Sequence, residues 1–80
     1  MAERLEALTD HLQYGHAVIA YQKQNGDFRL VKATLIYYEA EFHKKYDPTK
    51  IEGAVVYWNV DEQRWTTFQV ENFMEWRPMA

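Results

Sequence analysis

The stretch AVVYWNVDEQRWTTFQVENFMEWR, residues 54–77, decides the fold. Two runs rich in β-branched and aromatic residues flank the polar turn at 61–64, a pattern typical of a β-hairpin. Residues 71–73 predict one turn of 3₁₀ helix, and residues 74–77 predict a brief last strand. A hairpin, a tight turn and a short strand are typical closing elements of a small β-barrel.

The loop length decides which side chains of this hairpin face inward. A three-residue loop, 62–64, pairs Trp58 with Phe68 and gives a coherent apolar inner face. The reverse face then carries Tyr57 and Trp65 beside Arg64. Exposed Trp, Tyr and Arg side chains dominate the binding energy of many protein interfaces. We therefore predict that Tyr57, Arg64 and Trp65 bind a partner, unless the N-terminal helix or the segment before the hairpin covers them.

Upstream, residues 16–36 predict a first hairpin that turns at Asn25-Gly26. A two-residue loop would divide the apolar residues between both faces. A three-residue loop, 24–26, with Gly26 left-handed, gathers them on one face. That face comprises Ala17, Ile19, Tyr21, Val31, Ala33 and Leu35. Phe28 and Leu30 then point outward.

Residues 2–13 predict an amphipathic helix, with Leu5, Leu8 and Leu12 in one stripe. So short a helix is marginal in isolation, so it must dock on the sheet, and we expect it to cover Phe28 and Leu30. The chain is thus predicted to be one domain, 1–80. Its fold class is mainly β (α+β), a small five-stranded SH3-like or Sm-like barrel with an N-terminal α-helix.

Between the hairpins lies a long excursion, residues 37–53. Residues 38–46 have modest helical potential, and Pro48 then predicts a turn. Long ordered loops are often functional. Aromatic residues interleaved with lysines suit a ligand that has a flat ring and phosphates. The residues proposed for such a site are Tyr38, Phe42, Lys44 and Tyr46. The alternative is a solvated loop whose aromatic side chains pack on the barrel.

Composition excludes several classes of function. The 80 residues include 9 Lys and Arg against 12 Asp and Glu, so the net charge of −3 disfavours nucleic-acid binding. The chain has no cysteine, hence no disulfide and no thiolate zinc site. His11, His16 and His43 lack metal-ligand spacing. No Ser-His-Asp motif, P-loop or GxGxxG dinucleotide motif is present. We expect no catalytic residues, metal, cofactor or membrane span, and a cytoplasmic location.

Four segments carry a resemblance to a known family: Asn25-Gly26-Asp27 with Arg29, then 32–35, 56–60 and 64–72. Together they resemble the WYL-like small Sm/SH3-type β-barrel family of tailed phages and mobile elements. The resemblance spans Thr9 to Trp76, although Arg64 precedes its Trp here instead of following it. It implies a barrel that binds a nucleotide, a nucleic acid or a protein, and it implies no catalytic residue.

The leading functional hypothesis is a non-enzymatic phage-type binding module. It would bind a host protein in the host cytoplasm and inhibit or redirect it, as in counter-defence. The first alternative is a protein that sequesters a nucleotide signal, with homo-oligomerisation left open. The second is a nucleic-acid-binding barrel.

Overall fold

The computed structural model describes residues 2–79, without the side chains of Ala2 and Glu3. Met1 and Ala80, the ends of the predicted domain, lie outside it. The elements in chain order are α1 (Ala2–Leu12), β1 (His16–Gln22), β2 (Phe28–Thr34), α2 (Tyr38–Phe42), a first 3₁₀ turn (Pro48–Lys50), β3 (Ala54–Asn59), β4 (Arg64–Gln69), a second 3₁₀ turn (Val70–Asn72) and β5 (Phe73–Pro78). The strands form one antiparallel sheet in the order β4-β3-β2-β1-β5. The predicted mainly β architecture, with five strands and an N-terminal helix, is confirmed.

The first hairpin has the predicted register. Ile19 lies opposite Val31, and the Lys23 N–H donates to the Asp27 carbonyl at 2.8 Å. Gly26 has a φ of +92°, a left-handed conformation that favours glycine. All six apolar side chains that were assigned to the inner face are buried.

The predicted register of the second hairpin is wrong. Trp58 lies opposite Trp65, so the loop comprises the four residues 60–63. Two features hold this loop: the Asn59 Oδ1 accepts the Glu62 N–H at 2.9 Å, and Gln63 has a φ of +54°. The observed loop has one residue more than the predicted three-residue loop. This difference moves the side chains of one strand to the opposite face of the sheet relative to those of the other strand.

The faces of β3 are therefore exchanged. Val55, Tyr57 and Asn59 are buried together with Phe68 of β4. Trp58, which we had assigned to the core, lies on the outer face and is half-buried, and so is its opposite residue Trp65.

Helix α1 closes the core instead of covering the outer face of β2. Its leucines, Leu5, Leu8 and Leu12, pack with the inner residues of the sheet. The Leu35 N–H donates to the Leu12 carbonyl at 2.8 Å. Phe28 and Leu30 stay 56% and 64% exposed, so the expectation that α1 covers them is wrong. The concave inner face offers the leucine stripe full burial, which one exposed strand cannot.

Candidate functional site

Tyr57 is a core residue, and the expectation that it lies outside the barrel is wrong. Its side chain is fully buried, and its hydroxyl lies 2.9 Å from the hydroxyl of Tyr21. Burial raises the pKa of Tyr57, and the hydrogen bond to Tyr21 raises it further. The four-residue loop is the physical reason, because it turns Tyr57 inward. Tyr57 is therefore not accessible to a partner.

Trp65 does lie on the outer face, as predicted, but it is half-buried. Its ring packs edge-on against Trp58 at 5.4 Å and against Phe42 at 5.0 Å between centroids. Arg64 is exposed at the loop end of the same hairpin, where its Nε donates to Glu62 Oε1 at 2.9 Å. The predicted trio is thus divided: Trp65 and Arg64 lie at the surface, and Tyr57 does not.

The excursion brings further aromatic rings onto Trp65. We call the resulting set the outer aromatic cluster; its members are Tyr37, Tyr38, Phe42, Tyr46, Trp58 and Trp65. Each ring contacts at least one other, with centroids between 4.7 and 6.1 Å apart. The two site predictions therefore meet in one place, since Trp65 of the hairpin packs on Tyr38 and Phe42 of the excursion. The aromatic side chains of the excursion pack on the barrel.

Local geometry explains how the excursion delivers these rings. Tyr38 and Phe42 are four residues apart in α2, so they project from the same side of the helix. The helix ends one turn after it begins, because His43 is left-handed (φ +58°) and donates its N–H to the Glu39 carbonyl at 2.9 Å. The predicted helical potential over 38–46 is thus realised only over 38–42.

Tyr46 ties the excursion to the rest of the molecule. Its ring is half-buried and packs edge-on against Tyr38, with centroids 5.1 Å apart. Burial raises the pKa of Tyr46 to about 12, and the neighbouring Tyr38 and Asp47 add to the shift. The nearby Thr9 hydroxyl of α1 acts in the opposite direction. The excursion is therefore anchored on both the sheet and the helix.

Two grooves lie on the outer face of the β3–β4 hairpin. The first, near the loop, has a volume of about 470 Å³, and we call it the aromatic groove. Its lining residues are Tyr37, Ala40, Glu41, Trp58, Val60, Gln63 and Trp65. The second, toward the other end of the hairpin, has about 400 Å³, and we call it the lysine groove. Its lining residues are Tyr38, Lys44, Lys45, Tyr46, Asp47, Lys50, Ile51, Ala54, Val56 and Thr67.

The lining of the grooves differs from the predicted set of ligand-binding residues. Tyr38, Lys44 and Tyr46 line the lysine groove together, as the sequence prediction requires. Phe42 does not line it, because its ring turns toward Trp65. Lys45 and Lys50 also line it, although the sequence prediction omitted both; the lysine-rich composition of 44–50 was the available signal.

The sequence of this barrel matches a known protein family. The WYL_2 family model, described as an Sm-like SH3 β-barrel fold, matches residues 5–74. The chain belongs to the WYL_2 family. The predicted resemblance is confirmed at the level of family and fold. No curated protein and no solved structure matches the chain.

This WYL_2 barrel has another groove, which the sequence prediction did not identify. It has a volume of about 490 Å³ and lies between the β1–β2 turn and β4. Its lining residues, most of them of polar type, are Tyr21, Gln22, Lys23, Gln24, Asn25, Thr66, Thr67, Phe68, Gln69 and Asn72. Its amide and hydroxyl side chains come from two strands and a turn that are distant in sequence. No motif or regular spacing in the sequence therefore predicts this groove.

The histidines of this WYL_2 chain are dispersed. The His11 imidazole lies 2.9 Å from the His16 carbonyl and packs on Trp76, so it joins α1 to the sheet. Among the side chains described, those of residues 4–79, no three His, Asp or Glu are placed to hold a metal ion. No helix in that range has the length and apolar character needed to cross a bilayer.

Proposed function

We propose that this WYL_2 barrel is a non-enzymatic binding module that holds a protein partner in the aromatic groove. The observation that supports this proposal is that Tyr37, Trp58 and Trp65 line one open groove. Tyr37 is 49% exposed, so part of its ring is available to a partner.

The chemistry of the groove favours a protein partner. Tryptophan and tyrosine are over-represented among residues that dominate protein interfaces. Among the side chains described, Glu41 is the one charged group that lines the groove, so an apolar partner surface meets little desolvation cost.

The packing of the rings favours tight binding. Tyr37 meets Trp58 edge-on at 5.7 Å, and Trp58 meets Trp65 edge-on at 5.4 Å. Side chains that are already held in place lose less conformational entropy when a partner binds. Exposed Arg64, at the loop end of the hairpin, would lie at the rim of such an interface.

A host protein is the partner that we propose. This choice rests on the expectation, drawn from the sequence resemblance, that the barrel is of the phage or mobile-element type. Such a module acts by occupying a surface of its partner in the host cytoplasm, so that the partner is inhibited or redirected, as in counter-defence. No chemistry on the partner is required for this effect.

Affinity capture from host lysate with two matched variants tests the proposal. Tyr37→Ala removes the most exposed ring of the groove, whereas Phe28→Ala removes a similarly exposed ring on the outer face of β2. We expect a protein that the parent chain and Phe28→Ala retain, and that Tyr37→Ala loses by tenfold or more. Equal recovery with Tyr37→Ala would contradict the proposal, and circular dichroism would verify that both variants are folded.

A further inference from the structure

The lysine groove is a second and separate feature of the outer face. It shares no lining residue with the aromatic groove. It is formed by the excursion on one side and by the outer residues of β3 and β4 on the other. A role for this groove therefore does not depend on the proposed protein partner.

The charge of the lysine groove is opposite to that of the whole chain. Among the side chains described, three lysines, Lys44, Lys45 and Lys50, line it together with one carboxylate, that of Asp47. The local balance is thus positive in a chain whose net charge is −3. A cationic groove on an anionic protein attracts a small anion while the remaining surface repels a large one.

Asp47 offsets one of these three positive charges. Its Oδ1 accepts hydrogen bonds from the Thr49 N–H at 2.9 Å and from the Thr49 hydroxyl at 2.6 Å. Its Oδ2 lies 4.0 Å from the Lys50 Nζ, a long and exposed ion pair. Lys44 and Lys45 form no ion pair with any carboxylate whose side chain is described between residues 4 and 79. Two ammonium groups thus remain available to an anion.

The walls of the groove are aromatic and apolar. Tyr38 and Tyr46 are half-buried, so their rings are fixed in position yet reachable. Val56, Ala54 and Ile51 extend the apolar surface. A ligand that fits must therefore combine negative charge with a flat apolar part.

We propose that the lysine groove binds a nucleotide. Its phosphates would lie near Lys44, Lys45 and Lys50, and its base would lie against Tyr38 and Tyr46. The groove volume of about 400 Å³ suits a ligand of this size. Exposed lysines alone attract free phosphate weakly, so the aromatic wall supplies the additional affinity.

Thermal denaturation with a panel of probes tests this proposal. The panel comprises ADP, ADP-ribose, a cyclic dinucleotide, inorganic pyrophosphate and a single-stranded oligonucleotide. A nucleotide at a hundred times its Kd raises the midpoint by roughly 10–20 °C in a domain of this size. We expect such a shift with at least one nucleotide and a much smaller one with pyrophosphate.

Matched lysine variants locate the site. The double variant Lys44→Ala/Lys45→Ala is expected to weaken nucleotide binding tenfold or more in calorimetry. Lys23→Ala/Lys32→Ala removes the same charge from exposed positions outside the groove and is expected to leave the affinity unchanged. All four side chains are exposed, so both variants should fold.

Three outcomes would overturn the proposal. No shift with any nucleotide at millimolar concentration would exclude the site. An equal shift with pyrophosphate would reduce it to general anion attraction, and tighter binding of the oligonucleotide would identify a nucleic-acid surface instead. Tyr37→Ala should leave the nucleotide shift intact, so failure of this proposal is distinguishable from failure of the proposed protein interface.

Discussion

The molecule contains two aromatic clusters that differ in what surrounds them. The inner aromatic cluster consists of Tyr21, Tyr57, Phe68 and Phe73, and every member is at most 7% exposed. In the outer aromatic cluster, Tyr37 and Phe42 are 49% and 40% exposed. Distances between rings are similar in both, at about 5 to 6 Å. Ring packing alone therefore does not distinguish a core from a partly exposed surface.

Adjacent residues of one strand make the contrast direct. Tyr57 belongs to the inner cluster and Trp58 to the outer one, because successive side chains of a strand point to opposite faces. The inner ring contributes to stability, since it fills a closed core that has no disulfide to support it. The outer rings also contribute to stability, but they leave surface available. Substitutions in the two clusters should therefore separate stability from binding.

The largest expected effect is that of Tyr57→Ala. Removing a fully buried ring leaves a cavity, and it leaves the hydroxyl of Tyr21 without its hydrogen-bond partner. Such truncations lower the free energy of unfolding by about 3–5 kcal/mol. Urea unfolding measures the loss. The control is Tyr57→Phe, which keeps the ring and loses only the hydroxyl, at a cost of about 1 kcal/mol. A small loss for Tyr57→Ala would mean that Tyr57 lies outside the core, and the contrast between the clusters would fail.

A smaller loss is expected for Trp65→Ala. The ring is half-buried and contacts Trp58, Tyr38 and Phe42, so its removal loosens the excursion without opening the core. We expect a cost of about 1–3 kcal/mol, below that of Tyr57→Ala. Trp65→Phe should recover most of it. If Trp65→Ala costs more than Tyr57→Ala, the outer cluster is the true core and its assignment as a surface is wrong.

Alkaline pH tests both clusters at once, through one tyrosine in each. The pKa of Tyr46 is raised to about 12 and that of Tyr57 is raised as well, in both cases chiefly by burial. A folded pKa above the unfolded value near 10 means that folding favours the neutral phenol. The associated stability is complete below about pH 10 and is lost as the pH rises toward 12.

The unfolding midpoint in urea, measured from about pH 8 upward, should therefore fall above about pH 10. The fall should be smaller in Tyr46→Phe and in Tyr57→Phe, since each removes one titrating group. Absorbance at about 295 nm should show phenol ionisation that continues beyond the normal tyrosine range. A flat midpoint up to about pH 11.5 would contradict the burial of both hydroxyls.

The two hairpins show why part of the fold could be predicted from sequence and part could not. In the first, Gly26 supplies the left-handed position of a three-residue loop, and glycine is a strong signal for that conformation. In the second, Gln63 occupies the left-handed position, and glutamine gives no such signal. The hydrogen bond between the Asn59 side chain and Glu62, which holds the loop, depends on three-dimensional geometry. The alternation of inward and outward residues along the strands therefore predicts the wrong register for the second hairpin.

The same difference decides which residues of the candidate site could be predicted from the sequence. Tyr57 and Trp58 were assigned to the wrong faces because their positions depend on that loop. The structure places Tyr38, Lys44 and Tyr46 together, since proximity in sequence sufficed within one short excursion. Phe42, the fourth residue of the predicted set, turns toward Trp65 instead. The packing of Trp65 on Tyr38 joins two segments that are distant in the chain, and neither segment alone predicts that contact.

The smallest expected effect is a gain in stability from Gln63→Gly. A non-glycine residue with a φ of +54° pays a steric cost that glycine avoids. Glycine also has more conformational freedom in the unfolded chain, which reduces this benefit. We therefore expect the free energy of unfolding in urea to rise by a net amount of about 0.5–1 kcal/mol. Glu62→Gly is the matched control in the same loop. It should destabilise the protein, because it removes the carboxylate that holds Arg64 at 2.9 Å and Arg29 at 3.3 Å. A loss with Gln63→Gly would argue against the four-residue loop. With the three-residue alternative, Tyr57 would face outward and Trp58 inward, so this small measurement tests the origin of both clusters.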